Sequence, residues 1–218
     1  MFDTKDFHIA ISKDRLASMP MVTFPGDISL VNTPEEADAA MQYLKTQPRV
    51  GFDTETRPSF RKGHMNEVAL MQVSTLDRAF LFRLNNIGLD PVKDFLQDGD
   101  VVKIGLSLRD DFQMLHRRGE FEPVGFVELQ ELVKQFGITD ASLQKIYGII
   151  CGGRISKSQR LSNWEAPELT HSQQVYAAID AWACLKIYDI LQAGGFDPDK
   201  SQFKQPVIPD ESQPEHHI

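Results

Sequence analysis

The order of strand-like and helix-like runs constrains this chain most. Residues 49–55 (Arg-Val-Gly-Phe-Asp-Thr-Glu), 67–74 (Glu-Val-Ala-Leu-Met-Gln-Val-Ser) and 79–84 read as strands, the last two joined by a short turn near Asp77. They form an antiparallel group. Downstream, strands at 101–105 and 125–127 alternate with helices near 108–118, 128–136, 142–150 and 172–191. Strands first grouped and then alternating predict an α/β fold: a mixed sheet, antiparallel in its first three strands and then parallel, flanked by helices on both faces. Upstream, residues 28–31 form a short strand. Thr33-Pro34-Glu35-Glu36 starts a helix with a Thr cap, Pro at the first position and acids in the first turn; it runs to about Lys45. A short helix covers 92–97.

A length of 218 residues suits one globular body. Residues 1–27 carry little periodicity and predict a loosely packed N-terminal arm. Residues 194–218, rich in Pro, Gln, Asp and Glu, predict a flexible tail. The body is then 28–193. Glu215-His216-His217 is too short to form a metal tract. No apolar run approaches the roughly 20 residues of a membrane span, and the start lacks the basic and apolar regions of a signal peptide. Two cysteines, Cys151 and Cys184, make no disulfide framework, so a reduced, cytoplasmic setting is expected. A net charge of −8 argues against a protein that simply coats polyanions. It leaves room for an enzyme that acts on nucleic acid through bound cations.

Three segments carry acids that need explaining. In Phe52-Asp53-Thr54-Glu55, strand alternation puts Asp53 and Glu55 on one face. Adjacent carboxylates repel and raise each other's pKa, which suits a solvated edge or a site that holds a cation. In 103–115 a buried strand gives way to a helix, and two acids compete. Leu108, Asp111, Phe112 and Leu115 share the stripe that faces the sheet, whereas Asp110 fits a solvated first turn. An acid on an apolar stripe needs a partner, which selects Asp111. On the last helix Tyr176 and Asp180 are spaced i,i+4 among small and apolar residues. A structural Tyr–Asp pair is the alternative there. Taken together, the segments offer four carboxylates for one pocket, an arrangement costly without cations. An all-oxygen donor set selects two Mg²⁺ or Mn²⁺ ions over zinc. The matching chemistry is two-metal phosphodiester hydrolysis, in which one ion activates water and the other stabilises the leaving 3′ oxygen.

The three blocks, with Leu161-Ser-Asn-Trp164 ahead of the third, resemble the DEDD exonuclease superfamily. Within it the chain is similar to ribonuclease D and to the exonuclease domain of the Werner syndrome helicase. The position five before the last Asp is Val175, and Tyr176 stands four before it, as in the tyrosine subtype. The resemblance implies a ribonuclease H-like fold, metals on Asp53, Glu55, Asp111 and Asp180, and Tyr176 orienting the attacking water. The implied activity is a 3′→5′ exonuclease that releases 5′-mononucleotides from DNA or RNA ends. The extra helical domains of ribonuclease D have no counterpart in this length, which leaves the substrate open.

Thr54, Lys157, Arg160 and Trp164 are the candidate substrate contacts. The loop 154–160 holds Arg154, Lys157 and Arg160 and no acid; a solvated surface loop is the alternative. Trp164 either stacks on a base or anchors its loop in the core. Arg57, Arg61 and Lys62 follow the first acidic pair and fit an ordinary surface loop. Leu70 and Met71 fit the core, with an apolar wedge at the terminal base as the alternative. Two competing functions are weighed: a non-catalytic nucleic-acid-binding relative, and a haloacid-dehalogenase-type phosphatase. The phosphatase needs Asp-x-Asp where this chain has Asp-x-Glu.

Overall fold

The computed structural model describes residues 6–60, 63 and 65–207. The strands are β1 (Phe7–Ile9), β2 (Asp27–Val31), β3 (Arg49–Thr56), β4 (Val68–Ser74), β5 (Arg78–Arg83), β6 (Val102–Gly105), β7 (Phe126–Glu128) and β8 (Lys204–Pro206). The helices are α1 (Lys13–Ala17), α2 (Pro34–Leu44), α3 (Leu84–Ile87), α4 (Asp90–Leu96), α5 (Leu108–Leu115), α6 (Leu129–Lys134), α7 (Leu143–Cys151) and α8 (His171–Gln192). Strands β2 to β7 form one sheet in the order β2-β5-β4-β3-β6-β7. β3, β4 and β5 are antiparallel neighbours, and β6 and β7 continue from β3 in parallel. This is the expected mixed sheet. β2 adds a parallel edge beside β5.

Two helix starts follow directly from local chemistry. Thr33 and Glu36 form a capping box ahead of α2, and Thr170 and Gln173 form one ahead of α8. Each cap satisfies first-turn N–H groups and stabilises its helix by about 1 kcal/mol.

The pleat of β3 divides the core. Val50 and Phe52 point into an apolar layer completed by α2, α4 and α5, with Met71, Val73, Phe80 and Phe82 from the neighbouring strands. The opposite face packs under α8. Gly51 makes that approach possible: a Cβ there would lie 1.8 Å from the carbonyl oxygen of Ala181. Without a side chain at Gly51, the middle of α8 rests directly on the strand that carries Asp53 and Glu55. Met71 and Leu70 are fully buried, so they belong to the core and form no wedge at a base.

The ends of the described chain depart from expectation. β1 pairs antiparallel with β8, and Phe7, Ile9, Ile11, Phe196 and Phe203 are buried in the same apolar cluster as α7 and α8. The predicted loose arm therefore packs from Asp6 onward, and the predicted flexible tail is folded through Val207. Alternate apolar residues at 7, 9 and 11 bury one face of the strand and its continuation, a pattern too short to stand out in the sequence alone. The stretch Glu215-His216-His217 lies outside the described residues. No helix among the described residues is long and apolar enough to cross a membrane.

Candidate metal centre

Asp53 and Glu55 stand two residues apart on the α8 face of β3, just beyond Gly51. Asp180 enters from α8, one residue before the Ala181 carbonyl that Gly51 admits. Carboxylate oxygens of Asp53, Glu55 and Asp180 all lie within 4.8 Å of one another. The electrostatics show the cost. Burial pushes the Asp53 carboxyl up to about 7, although it accepts a hydrogen bond from the Thr54 N–H. Burial, then the charges of Asp53, Asp180 and Asp111, push Glu55 up to about 10, with Arg160 opposing. Asp180 is raised well above the carboxylate range by burial and by Asp53.

Asp111 is only partly gathered in. Burial and then the charge of Asp53 raise its pKa well above the usual carboxylate range, and its own charge is felt by Glu55. Its carboxylate, however, accepts a hydrogen bond from the Thr54 hydroxyl and lies outside the three-acid cluster. Thr54 points to the α5 side of β3, opposite to its acidic neighbours, and so it fixes Asp111. The hydroxyl of Thr54, a residue expected as a substrate contact, is thus engaged with Asp111. Asp110 is exposed, which agrees with the choice of Asp111.

The turn that delivers Asp111 depends on Glu128, a residue with no marked signature in the sequence. Ser107, the N-cap of α5, has a φ of 65°. Its N–H and that of Leu108 donate to the two oxygens of Glu128 at 3.1 and 2.8 Å, and the Gln130 amide donates to the Ser107 hydroxyl at 3.1 Å. Glu128 thus does the capping that Ser107, in a left-handed conformation, does not. Its only sequence signal is an acid at the end of a short strand.

Tyr176 lies one turn before Asp180. Burial, followed by the charges of Asp180 and Glu55, raises its phenol far above the ordinary value near 10. The group therefore remains a protonated donor. Trp164 is fully buried with its ring centroid 5.9 Å from that of Tyr176. It offers no face to a base. The expected stacking role is corrected to support of Tyr176. Arg83, buried, donates to the carbonyls of Ala166 and Pro167 and holds the loop that carries Trp164. Arg57 is paired with Glu165 at 3.1 Å. Arg61 and Lys62 lie outside the described residues.

Asp53, Tyr176 and Asp180 line a cavity of about 390 Å³ together with Lys157 and Arg160. Of the acids named from the sequence, Asp53 and Asp180 thus share a cavity with Lys157 and Arg160; Glu55 and Asp111 are not in its lining. The residues present suit a hard divalent cation. All clustered donors are carboxylate oxygens. The nearby Cys184 thiol is held protonated by burial and by the carboxylates, so it supplies no soft ligand. Gln72, cross-strand from Asp53 and fully buried, has no hydrogen-bond partner for its amide nitrogen or oxygen. An orphaned amide beside buried carboxylates whose charged forms are disfavoured leaves this centre incompletely satisfied by the protein alone.

A mixed sheet with a carboxylate cluster on its central strand, open to a cavity edged by cations, defines the class: an α/β nuclease domain with an acidic metal centre. The family model described as 3′-5′ exonuclease matches residues 28–194, and the chain belongs to that family. It is 29% identical over 188 residues to the bifunctional 3′-5′ exonuclease/ATP-dependent helicase WRN of Mus musculus, covering 80% of this chain and 13% of that protein. Its fold is similar to the Nibbler EXO domain of Aedes aegypti, with a TM-score of 0.71 and 24% identity across 82% of this chain and 96% of that one. It is also similar to Escherichia coli RNase D, with a TM-score of 0.69 and 21% identity across 77% of this chain and 44% of that one. Family membership sets aside the phosphatase alternative.

Proposed function

We propose that this protein is a divalent-metal-dependent 3′→5′ exonuclease that hydrolyses the terminal phosphodiester of a nucleic acid and releases 5′-mononucleotides. The observation that carries the proposal is the meeting of Asp53, Glu55 and Asp180 within 4.8 Å beside the cavity that Lys157 and Arg160 line. Asp53, Glu55 and Asp180 would hold Mg²⁺ or Mn²⁺, with Asp111 completing the set. Bound cations supply the positive charge that neutralises a phosphodiester and acidifies an attacking water.

The chain's own residues supply position. Tyr176, kept protonated, donates toward the water and fixes its direction; it does not take the proton. Asp180, beside that phenol, holds it in place. Arg160 is the cation whose charge reaches Glu55, so it suits the phosphate of the terminal nucleotide, with Lys157 next along the wall. Thr54 and Glu128 act behind these groups, fixing Asp111 and the turn that bears it.

The test is a matrix of 5′-labelled single- and double-stranded DNA and RNA incubated with Mg²⁺ or Mn²⁺. The proposal expects stepwise shortening from the 3′ end with 5′-mononucleotide products, lost in Asp180→Asn. Tight binding of these strands without shortening under any condition would replace the proposal with that of a non-catalytic binding relative.

A further inference from the structure

The cavity that holds the acids continues past Lys157. Ser142, Gln144 and Lys157 also line a second cavity of about 340 Å³, so the two share a wall where α7 begins. Four cations face this second space: Lys13, Lys145, Arg154 and Lys157. Its lining contains no acid, in a chain whose net charge is −8. A concave surface of one sign set against the protein's overall charge concentrates field and ligand locally. Lys145 is held by Asp140 at 2.5 Å. Lys13, Arg154 and Lys157 enter no ion pair among the described residues, and the Nε of Arg154 is buried without a partner.

One wall of this groove lies outside the family-matched residues 28–194: Lys13, Leu16, Ala17 and Met21. That wall is built in. The Arg154 N–H donates to the Pro20 carbonyl at 2.9 Å, and the Val22 N–H donates to the Arg154 carbonyl at 3.0 Å. A Cβ at Gly148 would lie 2.6 Å from a Leu16 methyl carbon, and one at Gly153 would lie 2.7 Å from a Val22 methyl carbon. The segment is therefore fitted onto α7 and the basic loop. Within it Met21 is half exposed, an apolar, polarisable surface between cations.

We infer that the segment 12–22 and the loop 154–157 together form the track for single-stranded nucleic acid, on which the chain 5′ of the terminal nucleotide lies. The inference rests on the exonuclease proposal for its polarity. Lys13, Arg154 and Lys157 take successive phosphates, and Met21 supports a base. The contiguity of an acid-free cationic groove with the carboxylate centre selects a polyanionic strand as its occupant. The segment before residue 28 then extends the grip of the family domain beyond the terminal nucleotide.

The experiment compares parent, Lys13→Glu and Lys13→Arg on an octanucleotide and a dinucleotide. Octanucleotide binding is followed by fluorescence anisotropy over a salt series, on an Asp180→Asn background that keeps the strand intact. Lys13→Glu is expected to weaken octanucleotide binding at least about fivefold and to flatten the log–log salt slope by about 0.7. It should raise KM for the octanucleotide without changing kcat, change dinucleotide hydrolysis less than about twofold, and be rescued by Lys13→Arg. Equal losses on both lengths, or octanucleotide binding that matches the parent, would overturn the track. If the parent releases nucleotides while Lys13→Glu behaves identically on both substrates, the track fails and the exonuclease stands. Binding with the expected salt response but no nucleotide release would leave the track standing and remove the exonuclease proposal.

Discussion

Replacing Asp180 by Asn should stabilise the metal-free protein while abolishing its activity. Carboxylate oxygens of Asp53, Glu55 and Asp180 lie within 4.8 Å of one another. At pH 8 Glu55, raised to about 10, keeps its proton, whereas Asp53, raised to about 7, is mostly ionised, and its charge with burial holds the Asp180 carboxyl well above the usual carboxylate range. Full charges on Asp53 and Asp180 at that spacing would repel by about 3 kcal/mol at an effective dielectric of 20, which sets the upper limit on what removing the Asp180 charge returns. For a chain of this size, 1 kcal/mol moves the melting temperature by roughly 2–4 °C, so Asp180→Asn should melt higher in chelator, by at most about 6–12 °C. The amide keeps the shape of the carboxylate and leaves no cavity beside Tyr176. The pH dependence has a definite sign. Asp53 has a folded pKa of about 7 against 3.8 for the free group, so the folded state binds more protons between those values. The contribution of Asp53 to the stability of the metal-free parent is then fully present below about pH 4 and is lost as pH rises through 7. The advantage of the variant should grow over the same range and disappear near pH 4. Divalent cation should raise the parent's melting temperature and move the variant much less. Differential scanning fluorimetry at pH 4, 6 and 8, with chelator or Mn²⁺, measures all of this. A variant no more stable than the parent at pH 8 in chelator would refute the claim that these acids are held in mutual repulsion.

Tyr176→Phe should lower kcat about 10–100-fold with little change in KM and an intact Mn²⁺-induced melting shift, because in the proposed function the phenol orients water and binds no cation. Unchanged kcat would remove Tyr176 from the chemistry. Thr54→Val should cost about 1 kcal/mol in stability and lower activity at limiting Mn²⁺, with partial recovery at high Mn²⁺, since it frees the Asp111 carboxylate. A titration of rate against metal concentration that superposes on the parent's would contradict this. Gly51→Ala should destabilise by roughly 1–3 kcal/mol or more and depress activity together, because its Cβ collides with the Ala181 carbonyl and lifts α8 from β3. Chemical denaturation and the nucleotide-release assay check both.

Local periodicity made much of this molecule legible in advance. The two-residue repeat of β3 put Asp53 and Glu55 on one face, and the helical stripe separated Asp111 from the exposed Asp110. The i,i+4 spacing set Tyr176 beside Asp180. What stayed hidden was relational. Nothing in the sequence around Gly51 announces that α8 will rest on it, since the reason lies in a segment 130 residues away. Glu128 and Arg83 act on loops distant in sequence, through backbone groups that carry no side-chain signature. The pairing of β1 with β8 joins two three-residue strands, each too short for periodicity to register. Trp164 presented two roles that only burial distinguishes. Thr54 is a candidate substrate contact in the sequence; its side chain lies on the face opposite Asp53 and Glu55, where it holds Asp111.

The central claim is that carboxylates from β3 and α8 form one binding centre for divalent cations. Electron paramagnetic resonance titration of Mn²⁺ into metal-free protein tests it most directly. Saturable loss of the free-ion signal is expected in the parent, with little loss in Asp53→Asn or Asp180→Asn. Free Mn²⁺ signal that rises with each addition from the first, or binding equal in the parent and both variants, would contradict it.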